Sequence, residues 1–156
     1  MDEVYPYLAG LTVVIEDLPE EANCVTLDPE LKDSDGIPAP KITYRLGENT
    51  KKMLEHGEKK AKEVLLAAGA QKILSKGNDA VWWRAGWHQM GTCRMGNAAE
   101  NSVVNGWGRS HDVTNLFIVD GSIFVTAGAV NPTSTIQALA LYIGDSIKNN
   151  FATLFD

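Results

Sequence analysis

The chain has 156 residues, 44% hydrophobic and 22% charged, which is typical of one soluble globular domain. The formal net charge is −6 and no basic stripe is present, which argues against nucleic acid and anionic membranes as partners. No apolar run approaches the roughly 18 residues of a membrane span, and the start M-D-E-V-Y-P-Y lacks a signal-peptide pattern. Cys24 and Cys93 are isolated, so we expect neither a disulfide framework nor a zinc site. We expect a cytoplasmic protein, or a periplasmic one if a longer chain carries a signal.

The first third of the chain predicts three strands. Residues 11–18 are β-branched and apolar and end at a proline, residues 25–27 form a short second strand, and residues 41–46 alternate in polarity. Residues 28–40 are acidic and rich in turn-forming residues, which predicts a loop. Within them, D-S-D-G at 33–36 resembles the start of a calcium loop. The closing glutamate is missing and prolines interrupt the pattern, so a turn is favoured and no metal site is expected.

The clearest helix is predicted over residues 48–68. Asn49 or Thr50 can cap its start, and Gly69 follows its end. One face is apolar and the opposite face carries lysines and glutamates, which is typical of a helix that covers a sheet. The apolar face consists of Met53, Leu54, Ala61, Val64, Leu65 and Ala68.

The second half of the chain is less regular. Residues 76–115 are rich in glycine and polar residues, and such a long irregular stretch is often functional. Residues 116–119, L-F-I-V, predict a short strand covered on both faces. Residues 132–148 predict a final helix, apolar nearly all round and therefore buried. Together these elements predict an α+β fold: a mostly antiparallel sheet covered by the 48–68 helix, with a strand–helix unit over 116–150 at one side.

Two segments near the final helix have features of a ligand site. Asn131 followed by Pro132 fits a helix cap, which leaves free backbone N–H groups at Thr133 and Ser134. Such a helix end carries partial positive charge and suits an anion, although a plain cap has the same sequence. Asp120, at the end of the predicted strand, either binds a ligand's hydroxyl groups or closes a turn.

His88 lies in the segment W-H-Q-M-G-T-C-R-M-G at 87–96, the only histidine with apolar, aromatic and glycine neighbours. A histidine there can be a metal ligand, a general base or a structural residue. The letters S-H-D at 110–112 suggest a serine triad, but triads are assembled from separate segments of the chain, so we interpret S-H-D as a loop.

Three segments together resemble a known family. These are H-Q-M-G-T-C-R-M-G at 88–96, N-L-F-I-V-D-G-S-I-F-V-T at 115–126 and G-A-V-N-P-T-S-T-I-Q-A-L-A at 128–140. In this order they resemble the C-terminal part of the glucose–methanol–choline (GMC) flavin oxidoreductases. The segments S-V-V-N at 102–105 and H-D-V-T-N-L-F at 111–117 look closest to the gluconate- and sugar-dehydrogenase branch. In that family the final strand–helix unit belongs to the FAD domain.

The resemblance implies roles for particular residues. His88 matches the histidine that faces the flavin and accepts the proton of a sugar, sugar-acid or polyol hydroxyl. Asn131 matches the second active-site position. Asp120 and Gly121 match the segment along the ribityl and phosphate part of FAD. Pro132 and Thr133, together with Asn131, match the helix start that points at the flavin.

One family feature is missing from the sequence, the G-x-G-x-x-G motif of the FAD-binding unit. We therefore expect residues 1–156 to be a single substrate-side domain, completed by a flavin-binding N-terminal domain or subunit, and inactive and free of FAD when isolated. Without that partner the final helix lacks cover, so we expect self-association or a rearranged C-terminal helix. The alternative is a non-catalytic interaction module that keeps the fold without its own cofactor.

Overall fold

The computed structural model describes residues 7–74 and 88–153. Helices and a two-stranded antiparallel sheet are both present, so the predicted α+β class is confirmed. No helix within these two ranges is long and apolar enough to cross a membrane. In chain order, the elements are strand β1 (Cys24–Lys32), strand β2 (Pro38–Thr43), helix α1 (Glu48–Ala67), a 3₁₀ helix (Gly121–Ile123), helix α2 (Thr133–Asn150) and a 3₁₀ turn (Phe151–Thr153).

The prediction of a loop over residues 28–40 is wrong at both ends. Strand β1 continues to Lys32, which pairs with Pro38 at the start of β2. The pairing is interrupted after Leu27 by a bulge, where the Asp28 carboxylate accepts hydrogen bonds of 2.9 Å from the backbone N–H groups of Glu30 and Leu31. The bulge and the edge position of both strands accommodate the prolines, which have no N–H to donate to a ladder.

The D-S-D-G sequence forms the tight turn of this hairpin. The Asp33 carboxylate accepts hydrogen bonds of 2.9 Å from the backbone N–H groups of Asp35 and Ile37, and Gly36 has a φ of +81°. The interpretation as a turn is therefore confirmed. Across residues 7–74 and 88–153, no group of three or more histidine, cysteine, aspartate or glutamate side chains is placed to hold a metal ion.

The strand predicted over residues 11–18 is not a strand. This segment is extended but has no neighbouring strand in the described residues, and a strand needs a partner for its backbone hydrogen bonds. It lies along α1 instead: Val13 is so close to Gly57 that a Cβ at position 57 would clash with it. The Asp17 carboxylate accepts hydrogen bonds from Thr50 Oγ1 at 2.7 Å and Tyr44 Oη at 2.5 Å.

Helix α1 begins and ends within one residue of the prediction, but its start is built differently. The N-cap is Gly47, with no side-chain cap, because Thr50 is bound to Asp17 and the Asn49 side chain points toward Met53 Sδ. The predicted caps are therefore wrong. The C-terminal end follows the prediction, since Gly69 has a φ of +95°. Its N–H donates to Leu66, and the next N–H donates to Leu65, which is a Schellman motif.

The expected cover over the sheet is also missing from the described residues. Val25 pairs with Ile42 and Leu27 with Pro40, so these four side chains share one face of the hairpin. All four are exposed, Leu27 to 69%. Helix α1 instead contacts the 13–17 segment, through Val13 at Gly57 and through the hydrogen bond from Thr50 to Asp17.

The core lies in the second half of the chain. Val104, Ile123 and Ile143 are fully buried and come from a turn-rich loop, the 3₁₀ helix and α2. The partly buried side chains around them are Met95, Ile118, Phe124, Leu139 and Ile147. This small cluster joins the 95–124 region to α2.

Two predictions about this region are wrong. Residues 116–119 form only an isolated bridge between Phe117 and Arg109, because the described chain provides no parallel strands beside them. Leu116 and Val119 are consequently exposed.

Helix α2 is not buried all round: Leu141 is 76% exposed, and Tyr142 stacks on Trp107 at the surface, with ring centroids 5.3 Å apart. Of the irregular stretch predicted over 76–115, residues 76–87 lie outside the described ranges.

A tight turn at Asn105–Arg109 depends on Gly108. This glycine has a φ of +68°, and a Cβ there would lie 2.5 Å from the carbonyl oxygen of Ile118. We expect Gly108→Ala to lower the free energy of unfolding by about 1–3 kcal/mol from backbone strain alone. Urea unfolding followed by circular dichroism measures this change. The matched control is Gly144→Ala in the interior of α2, where a Cβ meets nothing within 4 Å.

In the control Gly144→Ala, we expect the free energy of unfolding to rise by about 0.5–1 kcal/mol, because alanine loses less conformational entropy than glycine when a helix forms. Equal stabilities for the two variants would contradict this account of the turn.

Candidate active site

A row of backbone hydrogen bonds fixes the segment after His88 beside the 3₁₀ helix. The N–H of Gly91 donates to the carbonyl oxygen of Gly121 at 3.3 Å, that of Cys93 to Ser122 at 2.9 Å, and that of Met95 to Ile123 at 2.8 Å. Every second residue of the first segment therefore donates its N–H to one of three successive carbonyl groups in the 3₁₀ helix. The two motifs, separated in sequence by about thirty residues, are thus joined through their backbones.

Gly121 is where this unit meets α2. A Cβ at position 121 would lie 3.3 Å from the carbonyl oxygen of Gln89 and 3.2 Å from Cδ1 of Ile136, in the first turn of α2. Glycine at this position therefore allows three segments to approach closely. They are the segment that begins at His88, the turn that begins at Asp120 and the amino end of α2.

His88 has an unusual backbone for a residue with a side chain. Its φ is +61°, in the left-handed region that histidine adopts more readily than most residues, and its side chain is exposed. Burial in the core therefore does not account for it. Strained backbone of this kind is concentrated at functional sites, which supports a functional role for the imidazole.

Asp120 closes a turn, one of its two predicted alternatives. Its carboxylate caps the 3₁₀ helix by accepting a hydrogen bond of 2.8 Å from the backbone N–H of Ser122. Hydrogen bonds from the Ser122 side chain and backbone favour the ionised carboxylate and lower the pKa of Asp120. The side chain is exposed, so the same position is open to a ligand.

The lowered pKa of Asp120 gives a pH-dependent contribution to stability. Above its unfolded-state pKa of about 3.9 the charged group stabilises the fold, and this contribution is lost as the pH falls through the lower folded-state pKa. We expect Asp120→Asn to flatten the fall in unfolding free energy between about pH 5 and pH 3. Urea unfolding of the unmodified chain and of Asp120→Asn at several pH values in this range measures the difference.

The control for that titration is Asp112→Asn, since the Asp112 side chain is exposed and accepts no hydrogen bond within the described residues. An unchanged profile for Asp120→Asn would contradict the assigned cause of the pKa shift.

The amino end of α2 differs in detail from the prediction. The N-cap is Pro132, which is buried, and no side chain caps the helix, so the predicted cap at Asn131 is wrong. Asn131 and Thr133 are both exposed. The Asn131 amide is thus not used in capping, and among the described residues no side chain makes a capping hydrogen bond at the positive end of the helix dipole.

At the level of the backbone, the structure brings together the motifs in which the predicted site residues lie. Gly121 contacts the segment after His88 and the first turn of α2, whose start is preceded by Asn131. No hydrogen bond joins the side chains of His88 and Asn131, both within the described ranges. Their convergence on one substrate oxygen stays a prediction.

The S-H-D sequence is a loop, as interpreted, and carries no triad. Ser102, not Ser110, lies beside the histidine: its Oγ donates to the Ala98 carbonyl at 2.5 Å and lies 2.9 Å from His111 Nε2. A hydroxyl has one proton, so the Ser102 oxygen accepts from His111. Ser110 Oγ accepts from the backbone N–H groups that come after it. Neither serine is activated as a nucleophile.

The exposed histidine on left-handed backbone, the closely packed glycine turn and the helix start without a side-chain cap all lie in the three segments that resemble a known family. Comparison with known families agrees. A family model for the C-terminal domain, described as GMC oxidoreductase, matches residues 19–140. The chain belongs to the GMC oxidoreductase family, and the resemblance seen in the motifs is confirmed.

Curated relatives cover most of this chain. It is 49% identical over 141 residues to 2-methyl-1,2-propanediol dehydrogenase of Mycolicibacterium austroafricanum, covering 90% of this chain and 25% of the relative. It is 36% identical over 142 residues to 6'''-hydroxyparomomycin C oxidase of Streptomyces lividus, and the match covers 91% of this chain and 26% of the relative. It is 33% identical over 135 residues to the fructose dehydrogenase large subunit of Gluconobacter japonicus, and the match covers 86% of this chain and 24% of the relative.

A solved structure shows the same fold. Pyridoxine 4-oxidase from Mesorbium loti superposes with a TM-score of 0.62 at 20% identity, covering 85% of this chain and 28% of that one. The chain thus spans about a quarter of the length of the curated relatives it matches. The family is generally flavin-dependent.

One contact at the site was not predicted. Glu16 accepts a hydrogen bond of 2.6 Å from Thr126 Oγ1, although the two residues are 110 positions apart. Glu16 lies in the segment predicted to be a strand, and Thr126 lies in the loop before α2. Thr126 ends the 115–126 motif, but Glu16 belongs to no motif, so no local signal in the sequence indicated the pair.

Proposed function

We propose that this chain is the substrate-side domain of an FAD-dependent oxidoreductase that oxidises a CH–OH group of a sugar, sugar acid or polyol. The observation that carries the proposal is the packing at Gly121, where the segment after His88 and the first turn of α2 both lie against one glycine. The names of the relatives, a diol dehydrogenase and a fructose dehydrogenase among them, support a small hydroxylated substrate.

The described residues fit a flavin at this place. Asp120, Asn131 and Thr133 are exposed, and no side chain within the described residues caps the amino end of α2, so its backbone N–H groups suit an anionic or polar part of the cofactor. Asp120, Gly121, Asn131, Pro132 and Thr133 would hold the cofactor. When bound, FAD supplies the acceptor for the hydride.

The chain's own residues would act on the substrate oxygen and on developing charge. The His88 imidazole, in its neutral form, accepts the hydroxyl proton as the adjacent carbon loses hydride. The Asn131 amide donates a hydrogen bond to the same oxygen. The amino end of α2 presents partial positive charge where negative charge develops, and it does so without reorganisation.

A second candidate, an interaction module without chemistry, is favoured by one observation. The apolar face of the hairpin, formed by Val25, Leu27, Pro40 and Ile42, is exposed. Such a face is typical of a surface that another polypeptide covers. The two candidates predict different activities for the chain once it is joined to a flavin-binding partner.

The test is a hybrid enzyme in which this chain replaces the matching quarter of 2-methyl-1,2-propanediol dehydrogenase. Bound flavin is measured by absorbance, and turnover is measured on diols, polyols, aldoses and aldonates with an artificial electron acceptor. We expect retained flavin and oxidation of at least one of these substrates. A hybrid that retains flavin but oxidises none of them, while the parent enzyme is active in the same assay, would support the interaction module.

A further inference from the structure

The loop of residues 125–130 leads directly into Asn131 and the start of α2. It has no regular secondary structure, and Ala129 within it has a φ of +52°, in the left-handed region that disfavours alanine. A strained loop keeps one conformation only if its surroundings fix it. The position of Asn131 therefore depends on what holds this loop.

One side chain holds the loop from outside. Within residues 7–74 and 88–153, the hydrogen bond from Thr126 Oγ1 to Glu16 Oε1 is the only one that joins the 125–130 loop to another part of the chain. Its length of 2.6 Å is that of a strong hydrogen bond to a carboxylate. Thr126 also approaches the carbonyl oxygen of the next residue at 3.5 Å, a weaker contact within the loop.

Glu16 is itself held in a fixed place. Its neighbour Asp17 uses both carboxylate oxygens, one for Thr50 and one for Tyr44, and Val13 lies against Gly57 of α1. Thr50 is buried, so its hydrogen bond to Asp17 is partly shielded from water, whereas the hydrogen bond from Tyr44 is exposed. The Glu16 carboxylate, half-buried, extends from this anchored segment to the loop.

We propose that Glu16 is a positioning residue for the reaction: through Thr126 it holds the 125–130 loop and so places the Asn131 amide and the amino end of α2. The proposal rests on the function proposed above and adds a residue from the far end of the chain. Glu16 acts through its hydrogen-bond acceptor, not through its charge, and does not touch the substrate.

The test uses the flavin-loaded hybrid enzyme with four variants. Glu16→Ala and Thr126→Val each remove the hydrogen bond, and we expect either to lower kcat by roughly ten- to a hundredfold with little change in KM, because misplacement of about 1 Å has that effect. The double variant should lose no more than either single one. Glu16→Gln keeps an acceptor oxygen and should restore most of kcat. Glu21→Ala, exposed in the turn before β1, is the control and should behave like the unmodified chain.

Hydrogen exchange gives a readout independent of turnover. We expect faster amide exchange in the peptide that contains residues 125–131 for Glu16→Ala and Thr126→Val, and unchanged exchange for Glu16→Gln. If the unmodified hybrid binds flavin but is inactive, the proposed function fails, while the exchange data still decide whether Glu16 holds the loop. Unchanged kcat and exchange in Glu16→Ala would overturn the proposal. So would a Glu16→Gln variant as impaired as Glu16→Ala with a raised KM, which would mean that the charge binds substrate.

Discussion

Replacing His88 by asparagine in the hybrid enzyme is expected to lower kcat for alcohol oxidation by about a hundred- to ten-thousandfold, the usual contribution of a positioned general base. Asparagine is the informative substitution because the φ of +61° at position 88 is one that asparagine also tolerates, whereas alanine adds backbone strain. The fold and the bound flavin should therefore be retained. Steady-state kinetics with the best substrate of the hybrid measure the effect.

The control for His88→Asn is His56→Asn, which changes an exposed histidine on α1, remote in sequence from the three motifs. Its kcat should match that of the unmodified hybrid. Raising the pH should recover part of the activity of His88→Asn, because hydroxide in solution then replaces the missing base. A loss of less than about tenfold, with flavin retained, would exclude His88 as the base.

The second large effect is expected in the core. Ile143 is fully buried with Val104 and Ile123, and its Cδ1 would lie 3.2 Å from a Cβ at Gly108. Ile143→Ala is expected to lower the free energy of unfolding by about 2–5 kcal/mol, from lost burial and from the cavity left behind. A core with three fully buried apolar side chains in the described residues has little to compensate that loss.

Leu141→Ala is the matched control, because it removes a comparable side chain two residues away on the same helix where the leucine is 76% exposed. We expect Leu141→Ala to change the free energy of unfolding by no more than about 0.5 kcal/mol. Urea unfolding of both variants, followed by far-ultraviolet circular dichroism, measures the two changes. A similar effect of the two substitutions would mean that α2 is not anchored through Ile143.

Helix α1 was predictable because its signals are local. The apolar stripe needs no partner to be recognised, and Gly69 supplies the left-handed residue that ends the helix. The N-terminal cap was not predictable: Thr50 is bound to Asp17, thirty-three positions earlier, and no pattern in the helix indicates that partner.

The strands were less predictable because pairing is not local. Residues 11–18 and 116–119 have strand composition but no neighbouring strands in the described parts of the chain. The bulge formed by Asp28 was hidden in a stretch whose prolines and acidic residues suggested a loop. For the site, the motifs indicated His88 and Gly121, but the Glu16–Thr126 bond is a tertiary contact that only the structure provides.

The left-handed backbone at His88 restricts how this position can change over evolutionary time. A replacement at position 88 has to tolerate a positive φ, and the branched Cβ of valine, isoleucine and threonine makes that backbone conformation unfavourable. Glycine, asparagine and aspartate tolerate it, but none of them has a neutral nitrogen base in its side chain. Under the proposed role of His88 as the base, one such substitution would leave a chain that folds but does not oxidise its substrate.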